Sequence, residues 1–521
     1  MAQIDYHKKK FLIIEDHAEF RSSLKAMTRI FGAHMVDSVH DGEVGIAKII
    51  NNHYDIILSD YELGKGKDGQ QILEETRHSG LLKASSVFVL ITAATTVEMV
   101  MGALEYEPDG YITKPITHEN LKTRLDKIML EKSVFQEVDQ AIDAKKYKQA
   151  LLACDKIAKE QPKYQIKALR IKSKLLLNLE RYDDAAKLYN AILAVRDLPW
   201  ARLGLGKITY FKGDYAAAFD IFQKLALEDK RNVEAFDWLA KVYLSQNNPI
   251  EAQKALLHAI ERSPKSVLRQ MELGQVALSN QDWAVAEVAL RKAVNLGRNS
   301  CYRTPHNYST LVQVLQHKIK STDSRKAKDA LTEALRLIDS LEKEFADNKD
   351  AVLFAKILMA ETQGNLGKAK EAELILNSLT NDIAAAEETF TQQMAQSLAN
   401  AYESIGRGNE AQNLRTKYQA TSRTELNNND GLRLYKAGHL MEALAIFREA
   451  AKSPEADNNV LLNALQTSLS ALEANGNDEL LMNSCQRYLS RLSHMTAQDK
   501  NYPRFQKLNA AYSEFSSQNS H

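Results

Sequence analysis

Residues 56–69 read IILSDYELGKGKDG, an apolar run that delivers an aspartate, Asp60, into a loop of three glycines and two lysines. A carboxylate at the mouth of a buried strand is costly unless something there uses its charge, so Asp60 marks a site. The runs around it are of the same kind: KFLIIED, HMVDSVHD, SSVFVLITA and DGYITKP. FLII, DIIL and VFVLI lack strict alternation, as expected of parallel strands buried on both faces. Helical patterns such as HAEFRSSLKAMTRIFG and DGQQILEETRHSG lie between them. Five strands alternating with helices imply a doubly wound α/β sheet. The strand ends place Glu15 and Asp16, then Asp60, Thr92 and Lys114, on the carboxyl edge of that sheet, where ligands bind.

After Pro115 the strand-like runs stop. From Ile116 to Gln161 there is neither glycine nor proline, so the last helix of the first domain is expected to continue into the next. Leu121, Leu125, Ile128 and Phe135 share one stripe of it. From there the chain repeats one phrase: KYKQALLACDKIAKEQP, RYDDAAKLYNAILA, DYAAAFDIFQKLALED, PIEAQKALLHAIERSP and DWAVAEVALRKAVNLG. The small residues that open each second helix, Ala150, Ala185, Ala218, Ala252 and Ala286, stand 35, 33, 34 and 34 residues apart. This pattern resembles the tetratricopeptide repeat, a helix–turn–helix of about 34 residues whose stacked copies form a solenoid. Further anchors at Ala330, Ala372, Ala411 and Ala443 follow at intervals of 44, 42, 39 and 32. Longer helices or an inserted loop, and a break in the superhelix, are expected near residues 300–350, and a frayed end at EFSSQNSH. The expected domains are residues 1–130, a regular solenoid over 131–300 and divergent helical repeats over 301–515.

Asp16, Asp60, Thr92 and Lys114, spaced by 44, 32 and 22 residues at four strand ends, make residues 8–130 similar to a CheY-like receiver domain, a flavodoxin-like fold. The resemblance implies phosphoryl transfer from a phosphohistidine of a histidine kinase or phosphotransfer protein. Carried over by position, Asp60 is the nucleophile and Lys114 pairs with it. Thr92 meets a phosphoryl oxygen, and Tyr111 stands at the aromatic switch position. The metal is Mg²⁺, held by Asp16, Asp60 and the backbone carbonyl of Glu62, with Glu15 close by. Two stretches depart from the family pattern. YELGKGKDG lacks the usual proline and is one residue longer, and its Lys65 and Lys67 are read as incidental charge on a solvated loop, with steering of a phosphodonor as the alternative. EYEPDGYI replaces a small Gly-Ala pair, so the usual dimer mode is not assumed.

The remaining features set limits. The 68 basic and 67 acidic side chains balance, so a nucleic-acid partner is not expected. Cys154, Cys301 and Cys485 lack metal spacing and read as reduced thiols of a cytoplasmic protein. No run suits a membrane span or a signal peptide. Trp200, Trp238 and Trp283 read as packing residues, His306 and His317 as surface histidines. Lys207, Tyr210 and Lys241, on first helices of repeats, are candidate partner contacts in the concave groove. Residues 130–521 show no nucleophile elbow, phosphate-binding glycine loop, zinc spacing or kinase motif, so no enzyme activity is expected beyond the receiver's own phosphoryl transfer and hydrolysis. The expected function is that of a response regulator with a protein-binding solenoid as output. The alternatives are a phosphorylation-independent scaffold that docks through the receiver, or a nucleic-acid-binding regulator.

Overall fold

In a computed structural model of the chain, the described residues run from 4 to 518, apart from 94–104, 322–323, 387–389, 419–429, 433, 437, 453–455, 477 and 497. The five expected strands form one parallel sheet in the order β2-β1-β3-β4-β5: β1 (Lys10–Ile14), β2 (Met35–Val39), β3 (Ile56–Asp60), β4 (Val87–Thr92) and β5 (Gly110–Thr113). The runs without alternation are the three inner strands, and every residue of β3 and β4 is buried. Residues along each strand point alternately to the two faces. Phe11, Ile13, Ile56 and Leu58 therefore meet α1 (Ala18–Ile30) and α4 (His118–Val134) through Leu24, Leu121 and Leu125. Leu12, Ile14, Ile57 and Phe88 meet α2 (Gly42–Asn51) and α3 (Gly69–His78) through Ile46, Ile49, Ile72 and Leu73. Each such side chain contributes about 1.5–3 kcal/mol when fully buried. That burial fixes the carboxyl edge on which the site stands.

The expected continuity after α4 holds but for one residue. Buried Phe135 leaves helical geometry, at φ −93° and ψ 10°, and α5 (Gln136–Asp143) begins directly after it. Helix pairs follow, and all nine alanines that anchor the repeat phrase are buried. Close helix crossing needs that: a larger side chain there would hold the two helices of a pair apart. The 44-residue interval around residue 300 is taken up by two long helices, Pro305–Ser321 and Ser324–Glu344. The expected break is absent among the described residues. One core runs from Ala277 and Leu290 through Tyr308, Leu315, Ala334 and Phe354 to Leu398. His317 is not a free surface histidine but stacks on Trp283 at 3.7 Å. The final helix reaches Gln518, so most of the stretch read as frayed is helical.

The solenoid curls until its ends meet. Lys145 pairs with Asp478 at 3.1 Å, and the Lys148 amide donates to Glu479 at 3.3 Å. Glu180, in the turn before the helix Tyr182–Val195, pairs with Arg487 at 2.6 Å and with Arg448 at 3.7 Å. Leu480 packs into the core of the first repeats. Among the described residues, no helix is long and apolar enough to cross a membrane.

One buried acid gives the solenoid a pH dependence. Glu361, 3% exposed on the helix Lys349–Asn365, accepts a hydrogen bond from Asn400 at 2.8 Å. Burial pushes its carboxyl up to about 7 despite the hydrogen bonds it receives. The folded state thus holds the proton more tightly than the unfolded chain does. Stability falls as pH rises from the ordinary carboxylate range through about 7. Glu361→Gln should remove that slope and raise stability above pH 7 by up to about 3 kcal/mol. Apparent melting temperatures of both proteins from pH 5 to 8 check it; parallel curves would show that the fold does not hold a proton on Glu361.

Candidate functional site

The carboxyl ends of β1, β3, β4 and β5 bring together the side chains that the sequence placed at strand ends. Lys114 Nζ lies 2.8 Å from Asp60 Oδ2 and 3.1 Å from Glu15 Oε2. It also sits 4.2 Å from the centre of the Phe20 ring. Glu15 is fully buried and Asp60 nearly so. Burial, then the neighbouring Asp60 charge, pushes the Glu15 carboxyl above its ordinary range, and Lys114 only partly reverses this. For Lys114 burial alone acts downward, but the hydrogen bonds to Asp60 and Glu15 outweigh it and hold the ammonium above its ordinary value. The cation is therefore firmly charged between two acids.

One oxygen each from Glu15, Asp16 and Asp60 lies within 4.8 Å of the others. Asp16 Oδ1 is buried without a hydrogen-bond partner, as an oxygen left for a cation would be. Arg21 holds the turn behind it by donating to the carbonyls of Glu15 and Asp16 at 2.6 and 3.1 Å. Three acids with oxygen donors and one orphaned oxygen fit a hard divalent cation such as Mg²⁺. Glu62 is exposed two residues after Asp60, its amide 3.4 Å from Asp60 Oδ1. The start of α3 is pressed against β3: a Cβ at Gly69 would sit 2.1 Å from the Asp60 carbonyl oxygen. Asp68 and Gln71 close a reciprocal cap there, which fixes where the loop ends. Thr92 is buried, and its hydroxyl hydrogen-bonds the hydroxyl of half-buried Tyr111.

Both stretches that depart from the family pattern turn out to touch the solenoid. In the long loop, Lys67 is not incidental charge. Its ammonium pairs with Glu75 at 2.6 Å and donates to the Asn299 carbonyl at 2.8 Å, while Asn299 Nδ2 donates to the Gly66 carbonyl at 2.8 Å. Lys65 is exposed, as read. On α3, Glu74 accepts from Ser300 at 2.8 Å and Gln71 donates to the Leu296 carbonyl at 3.2 Å. In the second stretch, Glu105 pairs with buried Arg269 at 3.1 Å, and Asp237 holds the same guanidinium at 2.7 and 2.8 Å. Glu107 pairs with Lys174 and, at 3.6 Å, with Arg170. Burial alone would raise the Glu107 carboxyl, but Lys174 and Arg170 outweigh it and hold it below the ordinary range.

Arg170, Lys174, Asp237 and Arg269 come from the first helices of three repeats, Gln165–Asn178, Val233–Ser245 and Val267–Ser279. Sequence reading missed all four, because a charge on a repeat helix looks like a solvated one. The only signal was the acidic pair in EYEPDGYI. Lys207, Tyr210 and Lys241, the groove candidates from sequence, are half-buried on neighbouring first helices. Lys207 pairs with Glu234, both lysines lie against the Trp238 ring, and the Tyr210 hydroxyl meets Ser245 at 2.9 Å. Their polar ends are engaged within the solenoid itself.

Comparison with known proteins agrees with this architecture. Residues 11–126 match the response regulator receiver domain, and residues 172–233 and 239–300 match the tetratricopeptide repeat. The chain is 30% identical over 119 residues to chemotaxis protein CheY-3 of Vibrio cholerae, covering 90% of that protein and 23% of this chain. It is 28% identical over 116 residues to the transcriptional regulatory protein DltR of Streptococcus agalactiae, covering half of that protein and 22% of this chain. Among solved structures, a CheY-like receiver domain protein from Methanospirillum hungatei JF-1 matches at 24% identity and a TM-score of 0.22, over 24% of this chain and 96% of that one. The chain belongs to the response regulator receiver family, with tetratricopeptide repeats following the receiver.

Proposed function

We propose that Asp60 is the phosphoacceptor of a phosphorelay and that the solenoid, residues 131–515, carries the output by binding protein partners. Support comes above all from the orphaned Asp16 oxygen beside Asp60, with Lys114 charged against the same carboxylate. Asp16, Asp60 and the Glu62 carbonyl would hold Mg²⁺, with Glu15 behind them. When bound, the metal supplies positive charge against the phosphoryl oxygens. An Asp60 carboxylate oxygen attacks phosphorus, the O–P bond forms as the P–N bond of the phosphohistidine breaks, and the histidine departs with the electron pair. Lys114 moves its interaction from the carboxylate to a phosphoryl oxygen. Thr92 turns its hydroxyl to another, giving up Tyr111, which is then free to change its packing. The new charge, close to −2, enters a domain that the solenoid already grips on two sides. A shift in that grip changes which surfaces a partner can reach.

The test is intact mass of the full chain after incubation with acetyl phosphate, with and without Mg²⁺. The expected result is a Mg²⁺-dependent gain of one phosphoryl group that hydroxylamine releases and that Asp60→Asn lacks. An unchanged mass, with candidate kinases also supplied, would overturn the phosphorelay reading. The chain would then be a phosphorylation-independent scaffold that docks through the receiver.

A further inference from the structure

The loop after Asp60 is bracketed between the acidic cluster and the solenoid. At its near end Gly64 lies against the cluster, where a Cβ would sit 3.3 Å from Asp16 Oδ2. At its far end the Gly66 carbonyl accepts from Asn299 Nδ2 at 2.8 Å, and Lys67 donates back to the Asn299 carbonyl at 2.8 Å. Asn299 itself stands in the turn after the helix Trp283–Gly297. Gly64 and Gly66 have φ of +67° and +95°, and residues 64–66 are all exposed. Such a segment has no core of its own and many conformations to lose when it is fixed. On the receiver side its far end is held through Lys67, whose backbone N–H donates to Glu43 Oε1 at 3.1 Å and whose ammonium pairs with Glu75.

We infer that Asn299 is a positioning residue for the chemistry at Asp60: the solenoid sets the stance of the 62–67 loop, and with it Gly64 against Asp16 and the Glu62 carbonyl proposed above as a cation ligand. The inference rests on the cation and phosphoryl roles proposed above. Its consequence runs both ways, because coupling between two sites is reciprocal. A partner that shifts the turn at Asn299 changes cation binding at the receiver, and a phosphoryl group on Asp60 changes the turn. The repeats are thereby part of the phosphorylation site rather than a passive load attached to it.

The experiment uses the full chain, with Mg²⁺ alone as the first probe. Calorimetry should show Asn299→Ala binding Mg²⁺ about 3- to 10-fold more weakly than the natural protein, as expected for one lost hydrogen bond. Asn299→Gln, which keeps the donor, should recover part of the loss. Glu107→Gln, which loosens a receiver–solenoid contact away from the loop, should leave Mg²⁺ affinity unchanged. With acetyl phosphate added, Asn299→Ala should shift the Mg²⁺ concentration for half-maximal uptake by the same factor. Hydrogen exchange over residues 296–302 should change on phosphorylation, and not in Asp60→Asn. Equal Mg²⁺ affinity in Asn299→Ala and the natural protein overturns the inference, as does an equal shift in Glu107→Gln. Mg²⁺ binding that follows this pattern without any phosphoryl uptake supports the positioning role and overturns the phosphorelay reading instead.

Discussion

Lys114→Met should slow phosphoryl uptake at Asp60 by about 100- to 1,000-fold, the usual loss when one preorganised donor is removed from a developing negative charge. The ammonium stands 2.8 Å from Asp60 and is only 19% exposed, so water supplies little replacement. Methionine keeps the length and the packing against Phe20 and removes the charge. The same change leaves Glu15 and Asp60 facing each other, one fully buried and the other 6% exposed. Breaking a buried ion pair from one side costs about 3–5 kcal/mol. The variant should therefore melt lower than the natural protein, and added Mg²⁺ should raise its melting temperature by more, since two uncompensated acids attract a cation more strongly. Uptake kinetics by intact mass and melting curves with and without Mg²⁺ read both effects. An uptake rate within threefold of the natural protein would remove Lys114 from the site.

The second large effect lies at the closure of the solenoid. Glu180→Ala should weaken the contact between its ends by about 3–5 kcal/mol, because Arg487 and Arg448 lose their shared carboxylate in a largely dry place. The Glu180 side chain is 4% exposed, and those of Arg487 and Arg448 are 18% and 23% exposed. Hydrogen exchange should rise in the helices Glu479–Leu492 and Tyr182–Val195 together, with little change in the receiver sheet. The double replacement Glu180→Met with Arg487→Met should recover much of the loss, since apolar groups can replace a buried ion pair at small cost. Unchanged protection in Glu180→Ala would mean that the ends are held without Glu180, by the packing of Leu480 and the contacts of Lys145 and Lys148 with Asp478 and Glu479.

The pattern of strands, the strand-end acids and the period of the alanine anchors were all legible, and for one physical reason. Each reports a local rule: two buried faces make an unbroken apolar run, close helix crossings need a small residue, and a charge at a strand mouth needs a use. The long helices around residues 305–344 were also foreseeable from a stretched interval. The continuity of the core through them was not, since that depends on how Tyr308, Ala334 and Phe354 meet across three helices. The role of Lys67 was misread for a related reason. A lysine between glycines is locally indistinguishable from solvated charge, and its partner Asn299 is remote in the chain.

By itself, then, the sequence determined the two architectures, the order of the sheet's chemistry and the identity of Asp60, Asp16, Glu15, Thr92 and Lys114 as residues of one edge. Only the tertiary structure decided how the two parts are joined. The acidic pair Glu105 and Glu107 meets Arg269, Arg170 and Lys174, Asn299 grips the loop beside Asp60, and Glu180 closes the solenoid on Arg487. Charged and amide side chains carry no periodicity that names their partners, and an ion pair is defined by distance in space rather than along the chain.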